Sequence, residues 1–377
     1  MLTKNGDQCL CQSEKGRTKF LSSSECTINT SEKVGLDVML NRWQHVWRLL
    51  ALSIVTALML TGCGDPTLSA LIPSGPVAEE QLTLIKLSLF IMVGVIVVVM
   101  LIFAYVIIRY RKKPGQTGIP EQVEGNTKLE IIWTVIPIIL LFILAVPTVM
   151  TTFTLAKDYS DEEGVVNVKV TAHQFWWEFE YPDLGVATAQ DLYIPTGKRV
   201  MFQLTSKDVV HSFWVPSLGG KTDNVPGLVN KMWLQADKEG VYQGKCAELC
   251  GASHALMDFK VVAVSPQEFD SWVEKMKAGP AEPATATAKE GQQVFQQSCI
   301  GCHAVGNQGG KLGPNLTAFG DREKLAGILE NNPELLKQWI ANPNQFKEGN
   351  RMPAFGEQLN EEQIDALAEY LSGLKIR

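Results

Sequence analysis

Between Lys86 and Arg109 the chain runs 22 residues without a charged side chain, and between Glu130 and Lys157 it runs 26 more. Each stretch exceeds the ~20 residues that a helix needs to cross a bilayer. Inside hydrocarbon a backbone must satisfy its own polar groups, so both stretches are predicted to be helices, about 83–110 and 128–156. A buried core helix is the alternative, and the lengths count against it. Pro137 and Pro147 fall inside the second span, where packing against a partner would satisfy the freed carbonyls. Arg109, Arg111, Lys112 and Lys113 cluster in the connection, which predicts a cytoplasmic loop and an outward-facing chain beyond residue 157. The formal net charge of −6 argues against a nucleic-acid partner.

Upstream, residues 1–38 are polar and aperiodic and are predicted to be an unstructured extension. Residues 39–62 then read as a secretory signal: Arg42 and Arg48 precede an apolar run that ends in Leu60-Thr61-Gly62-Cys63. That ending resembles a bacterial lipobox, which implies a lipidated Cys63 as the first mature residue. Met39 would then be the true start, and Cys9, Cys11 and Cys26 would need no function. An uncleaved membrane anchor is the alternative.

Downstream of the spans, short apolar or alternating runs are punctuated by Gly and Pro: 165–171, 175–181, 191–194, 199–206, 231–236, 240–245 and 257–264. Such spacing predicts a β-sandwich or barrel over about 159–270. Within it lies Cys246-Ala247-Glu248-Leu249-Cys250-Gly251-Ala252-Ser253-His254-Ala255-Leu256-Met257. Two thiols, an imidazole and a thioether within twelve residues are soft ligands that suit copper. A disulfide or a zinc site would be the plainer reading. Met is a poor zinc ligand, however, and this domain has no second Cys pair.

This loop, the spans before it and the chain after it resemble subunit II of cytochrome c oxidase. The resemblance implies a cupredoxin-like Greek-key fold that carries binuclear copper A. Cys246 and Cys250 would bridge the two coppers. One copper would add His254 and the Glu248 carbonyl, and the other Met257 and a distant histidine. His211, in Asp208-Val209-Val210-His211-Ser212-Phe213-Trp214, matches the family's upstream ligand. Asp208 and Asp223 are candidates for hydrogen bonding around the site, with solvated loop residues the expectation. His173-Gln174-Phe175-Trp176-Trp177 belongs to a segment that the family places near copper, with Trp177 and Phe179 expected in the core. The family commonly has tryptophan, as electron entry point, where this chain has Phe175. The resemblance further implies that the Glu248 side chain reaches a magnesium ion at the subunit I interface. It also implies that Glu130 lies near a proton-path entrance. Thr127-Lys128-Leu129-Glu130 alone reads as a capping box.

A helix to Lys277 and an Ala/Pro/Thr-rich linker (271–288 in all) lead to residues 289–377. Cys299-Ile300-Gly301-Cys302-His303 is C-x-x-C-H, the attachment motif of a c-type haem, with His303 on the iron. A thioredoxin-like motif would need a βαβ context that is missing. After His303 the chain has no further histidine and one methionine, Met352, which must supply any sixth protein ligand of the usual kind. Helices are predicted at 289–298, 333–341 and 361–374, as in a small all-α class I cytochrome c.

The whole resembles subunit II of a caa-type oxidase with a fused cytochrome c domain. That implies an enzyme complex in the bacterial cell membrane, with this chain multi-pass and its redox domains outside. Its partners would be subunits I, III and IV, membrane lipid and an electron donor, either a cytochrome c or a cytochrome bc-type complex. Electrons would pass from donor to haem c, to copper A and to haem a of subunit I, where oxygen is reduced to water with proton pumping. The copper A subunit of a nitric oxide reductase and a membrane-anchored copper-binding lipoprotein are the alternatives.

Overall fold

The computed structural model describes residues 8–12, 18–22, 45–59, 64–112, 115, 118–119, 121–122 and 124–376. Residues 1–64 and 65–377 form two separate units. In the first, β1 (Gln8–Gln12) pairs antiparallel with β2 (Thr18–Ser22), where no regular structure was expected. The register sets Cys9 opposite Leu21 and Leu10 opposite Phe20. Most of the apolar run that the sequence assigned to a signal is a helix, α1 (His45–Met59). Cys63 and its lipidation lie outside the described residues.

The second unit begins with a helical hairpin. Among the described residues two helices are long and apolar enough to cross a membrane: α2 (Pro76–Tyr110) and α3 (Thr127–Leu155). At 1.5 Å per residue, α2 is about 50 Å long, well beyond the ~30 Å of bilayer hydrocarbon. Its extra N-terminal turns lie before the charge-free run and serve the β domain: Val77, Ala78 and Leu82 are buried, and Val77 joins the core of that domain. The cap of α3 differs from the expected box. Asn126 caps it, accepting from the Lys128 and Leu129 amides at 3.1 and 3.3 Å. Asparagine outcompetes threonine at this position, and a one-residue shift removes Thr127 from the capping role.

Ten strands build two five-stranded sheets. One runs β10-β7-β3-β4-β5: β10 is Asn230–Leu234, β7 Val200–Ser206, β3 Val166–His173, β4 Trp176–Tyr181 and β5 Val186–Ala189. The other runs β6-β12-β11-β8-β9: β6 is Asp191–Pro195, β12 Asp258–Val264, β11 Gly240–Cys246, β8 His211–Trp214 and β9 Lys221–Asn224. The β3/β7 and β6/β12 pairs are parallel and the others antiparallel. The pattern of β4, buried at alternate positions, shows why: Trp177, Phe179 and Tyr181 are fully buried, and Trp176, Glu178 and Glu180 are not. Trp177, Phe179, Phe202, Phe213 and Phe259 fill the space between the sheets. This is the cupredoxin-like sandwich, with β5, β8 and β9 added to the predicted strands.

Helix α4 (Pro266–Ala278) starts in a capping box between Ser265 and Glu268 and packs Trp272 on Tyr193, with ring centroids 4.6 Å apart. Residues 279–285 are irregular. They lead to α5 (Ala286–Ser298), α6 (Pro333–Ala341) and α7 (Glu361–Ser372), the all-α cytochrome fold. Helices α5 and α7 cross closely because Gly291 has no side chain: a Cβ there would sit 2.0 Å from Ala366 O.

Candidate metal centre

Pairing of Cys246 with Phe213 brings the end of β11 beside the start of β8, and so His211 beside Cys246. The loop after Cys246 turns back into β12, with Cys246 N donating to Met257 O at 3.3 Å. Gly251 allows the turn. Its φ is +134°, and a Cβ would press the Gln174 amide at 3.0 Å and the Phe175 ring at 3.1 Å.

The folded loop gathers every donor atom that the sequence named for copper. Cys246 Sγ lies 3.8 Å from His211 Nδ1, 3.9 Å from Cys250 Sγ and 3.2 Å from Glu248 O. Cys250 Sγ lies 3.6 Å from His254 Nδ1 and 3.8 Å from Met257 Sδ. His211 and Met257 are fully buried, and Cys246 and Cys250 nearly so. His211, Cys246 and Cys250 by themselves form a metal-competent cluster. The sulfurs are too far apart for a disulfide, whose S–S bond is about 2.05 Å. Bonds of about 2.3 Å from each sulfur would let both reach a shared metal. Thioether and thiolates together favour copper over zinc. These residues therefore fit the metal that the fold family implies.

The electrostatics point the same way. Contact with Cys250 pulls the Cys246 thiol down to about 3, against burial and with help from His211. Cys250 is pushed up in turn by the thiolate beside it and by burial. Without a cation the pair holds one negative charge, and a metal would let both thiols ionise. Burial raises the Asp208 carboxyl, but hydrogen bonds from His211, Gln174 N and Val209 N outweigh it and hold Asp208 at about 2. Burial likewise pulls His211 down, and its bonds to Asp208 and Cys246 bring it back above the ordinary value.

Asp208 corrects the expectation of a solvated loop residue. Its side chain is 6% exposed, and Oδ1 is 2.8 Å from His211 Nε2. That bond orients the imidazole so that Nδ1 faces Cys246. Asp223, in β9, offers its backbone carbonyl to Asn230 instead. Trp177 Nε1 donates to Met257 O at 3.3 Å, tying the core to the loop. His173 stacks on Trp176 and meets Glu178 at 3.3 Å, apart from the donor cluster.

In the α domain, Cys299 closes α5 and His303 follows, its Nδ1 at 2.8 Å from Pro314 O. That bond leaves Nε2 as the ring nitrogen for a metal. Burial pulls His303 below its ordinary value, which keeps the imidazole neutral. Met352, Cys299 and Ile300 pack on the same apolar cluster. The donor set fits a haem: two thiols in C-x-x-C-H, one packed on this core and the other, Cys302, exposed, with a neutral oriented imidazole and the Met352 thioether.

Family models match three segments: the transmembrane domain of cytochrome c oxidase subunit II at residues 71–150, its periplasmic domain at 184–264, and cytochrome c at 288–375. A cytochrome c oxidase subunit 2 of Alkalihalophilus pseudofirmus is 54% identical over 339 residues, 89% of this chain and 98% of the relative. One of Bacillus sp. strain PS3 is 53% identical over 348 residues, 88% and 98% of the two chains. The chain belongs to the cytochrome c oxidase subunit II family. It is the form with a C-terminal cytochrome c domain, an oxidase component of a membrane complex. A solved periplasmic domain of subunit II from Bradyrhizobium japonicum is 34% identical, with a TM-score of 0.28, covering 29% of this chain and 91% of that one. Family membership removes the copper-binding lipoprotein and nitric oxide reductase alternatives.

Glu130 lies at the exposed start of α3. Glu248 is partly buried on the loop between Cys246 and Cys250. Gln174 and Lys347 had no motif to mark them. Gln174 Nε2 donates to Cys250 O at 2.6 Å, and Lys347 Nζ to Phe175 O at 3.0 Å. Both contacts join segments too far apart in sequence for a local pattern to reveal.

Proposed function

We propose that this chain is the electron-entry subunit of its oxidase. His211, Cys246, Glu248 (through its carbonyl), Cys250, His254 and Met257 would hold binuclear copper A. Cys299 and Cys302 would bond a haem c, with His303 and Met352 as axial ligands. Held by these residues, the two groups would supply one-electron chemistry between a cytochrome c or bc-type donor and haem a of subunit I, where oxygen reduction would drive proton pumping. The chain's own residues bind, orient and bury these centres. Asp208 fixes the His211 ring, and the sandwich under Trp177 and Phe213 keeps the loop from reshaping. The observation that carries the reading is the convergence of six donor atoms in one loop region, four of them on buried residues.

The remaining assignments follow from the same reading. Glu248 would offer its carboxylate to magnesium at the subunit I interface, and Glu130 would stand at a proton-path entrance. Subunits III and IV complete the complex. Cys63 would carry lipid. Both spans cross the cell membrane, with the sandwich and the cytochrome domain (159–270 and 289–377) on the outer face. The test is Cys246→Ser in the assembled oxidase. The haem should still form and accept electrons from the donor, while its reoxidation by the complex stops. Normal reoxidation would refute the copper relay.

A further inference from the structure

Residues 347–351, just before Met352, reach from the cytochrome domain onto the copper loop. Lys347 is only 2% exposed, and its ammonium donates to Phe175 O at 3.0 Å. Ser253, between Cys250 and His254 and also 2% exposed, donates its hydroxyl to Glu348 O at 2.8 Å. Gly349 lies against the Phe175 ring and Ala252. Arg351 Nη2 is 3.4 Å from Gln174 Oε1 and 3.6 Å from Asp208 Oδ2. Gln174 in turn bonds Cys250 O. Elsewhere Lys260 pairs with Glu323, and Ile376 enters the core cluster of the sandwich.

A flexible tether needs none of this. Burying an ammonium carries a large desolvation penalty, so it occurs where a surface is built to receive it. Burial lowers the Lys347 ammonium to about 8, with Asp258 and Cys250 acting the other way. Phe175 sits beneath the segment, 5% exposed, so the ring that replaces the family's tryptophan faces the chain's own cytochrome domain.

We propose that Lys347 is a positioning residue whose buried ammonium fixes the cytochrome domain in one register on the copper loop, setting residues 347–352 against Gln174, Phe175 and Ser253. The inference rests on the two-centre reading above. The step so positioned is a one-electron transfer, with the haem as reductant and the copper pair as oxidant. No bond is made or broken. One hydrogen-bonded connection runs from Met352 through the Arg351 side chain to Gln174 and the Cys250 carbonyl.

The test uses the full chain in its oxidase complex. Lys347→Glu puts a carboxylate against the Phe175 carbonyl oxygen and should undock the segment. Haem and copper absorption spectra should be unchanged. The haem-to-copper transfer after photoreduction should slow by about tenfold or more, the scale on which small misplacements slow a preorganised step. A second measurement needs no variant. In a pulse of acetic anhydride, Lys347 of the native complex should react at least about tenfold more slowly than Lys311, whose side chain is 80% exposed. A transfer rate within twofold of the native one, or Lys347 reacting as fast as Lys311, overturns the proposal. A native complex without the copper or haem spectrum would instead overturn the two-centre reading beneath it.

Discussion

Removing the Asp208 carboxylate should weaken copper binding without touching a ligand. In Asp208→Ala the His211 ring loses its partner at 2.8 Å, and the Gln174 and Val209 amides lose acceptors at the same distance. The carboxylate is 6% exposed, so water compensates little. A hydrogen bond to a charged group is worth about 1.5–3 kcal/mol. Partners that orient metal-bound histidines usually account for 10–100-fold in affinity, about 1.4–2.7 kcal/mol, which agrees with losing one such bond. Asp208→Asn keeps the shape and an acceptor oxygen and should lose less. The assay is a competitive copper titration of the purified chain against a calibrated chelator, with thermal melting in parallel to separate affinity from folding. Affinity within twofold of the native chain for Asp208→Ala would refute the claim that this carboxylate orients His211.

Phe213 is fully buried and stacks on Phe259 at 4.8 Å, so Phe213→Ala should destabilise the sandwich by ~3–5 kcal/mol, read by denaturant unfolding. Gly219 faces α2, where a Cβ would meet Leu234 at 2.5 Å and Val77 at 2.9 Å. Gly219→Val should therefore destabilise by ~1–3 kcal/mol and open the α2–sandwich junction to protease. Burial raises the Tyr193 phenol to about 12, aided by Asp191 and Asp321. A raised phenol contributes stability below its unfolded value near 10 and loses it as pH rises through 12. Chemical stability should therefore fall over that window, and less steeply in Tyr193→Phe.

Local chemistry made most of this chain legible. The charge-free runs required helices, alternation marked β4 and its neighbours, and the two cysteine motifs marked both candidate centres. His211 was reachable because few histidines were available to complete the loop. Sequence could not show that α2 continues past its membrane run to dock Val77 into the sandwich, because those turns carry polar residues such as Glu79 and Glu80. It misjudged Asp208, whose burial depends on residues 174 and 351 folding over it. It missed β5, β8 and β9, each four residues long and fixed by pairing rather than by pattern. Lys347 lay deepest, since a lysine in a loop reads as solvated until the facing domain is known.

The most direct test of the central claim is a metal and haem count on the purified full chain, with its electron-spin and optical spectra. Two coppers per chain with a mixed-valence signal, plus one covalently bound low-spin haem, are the predicted result. A single copper, a zinc, or a disulfide between Cys246 and Cys250 would contradict it.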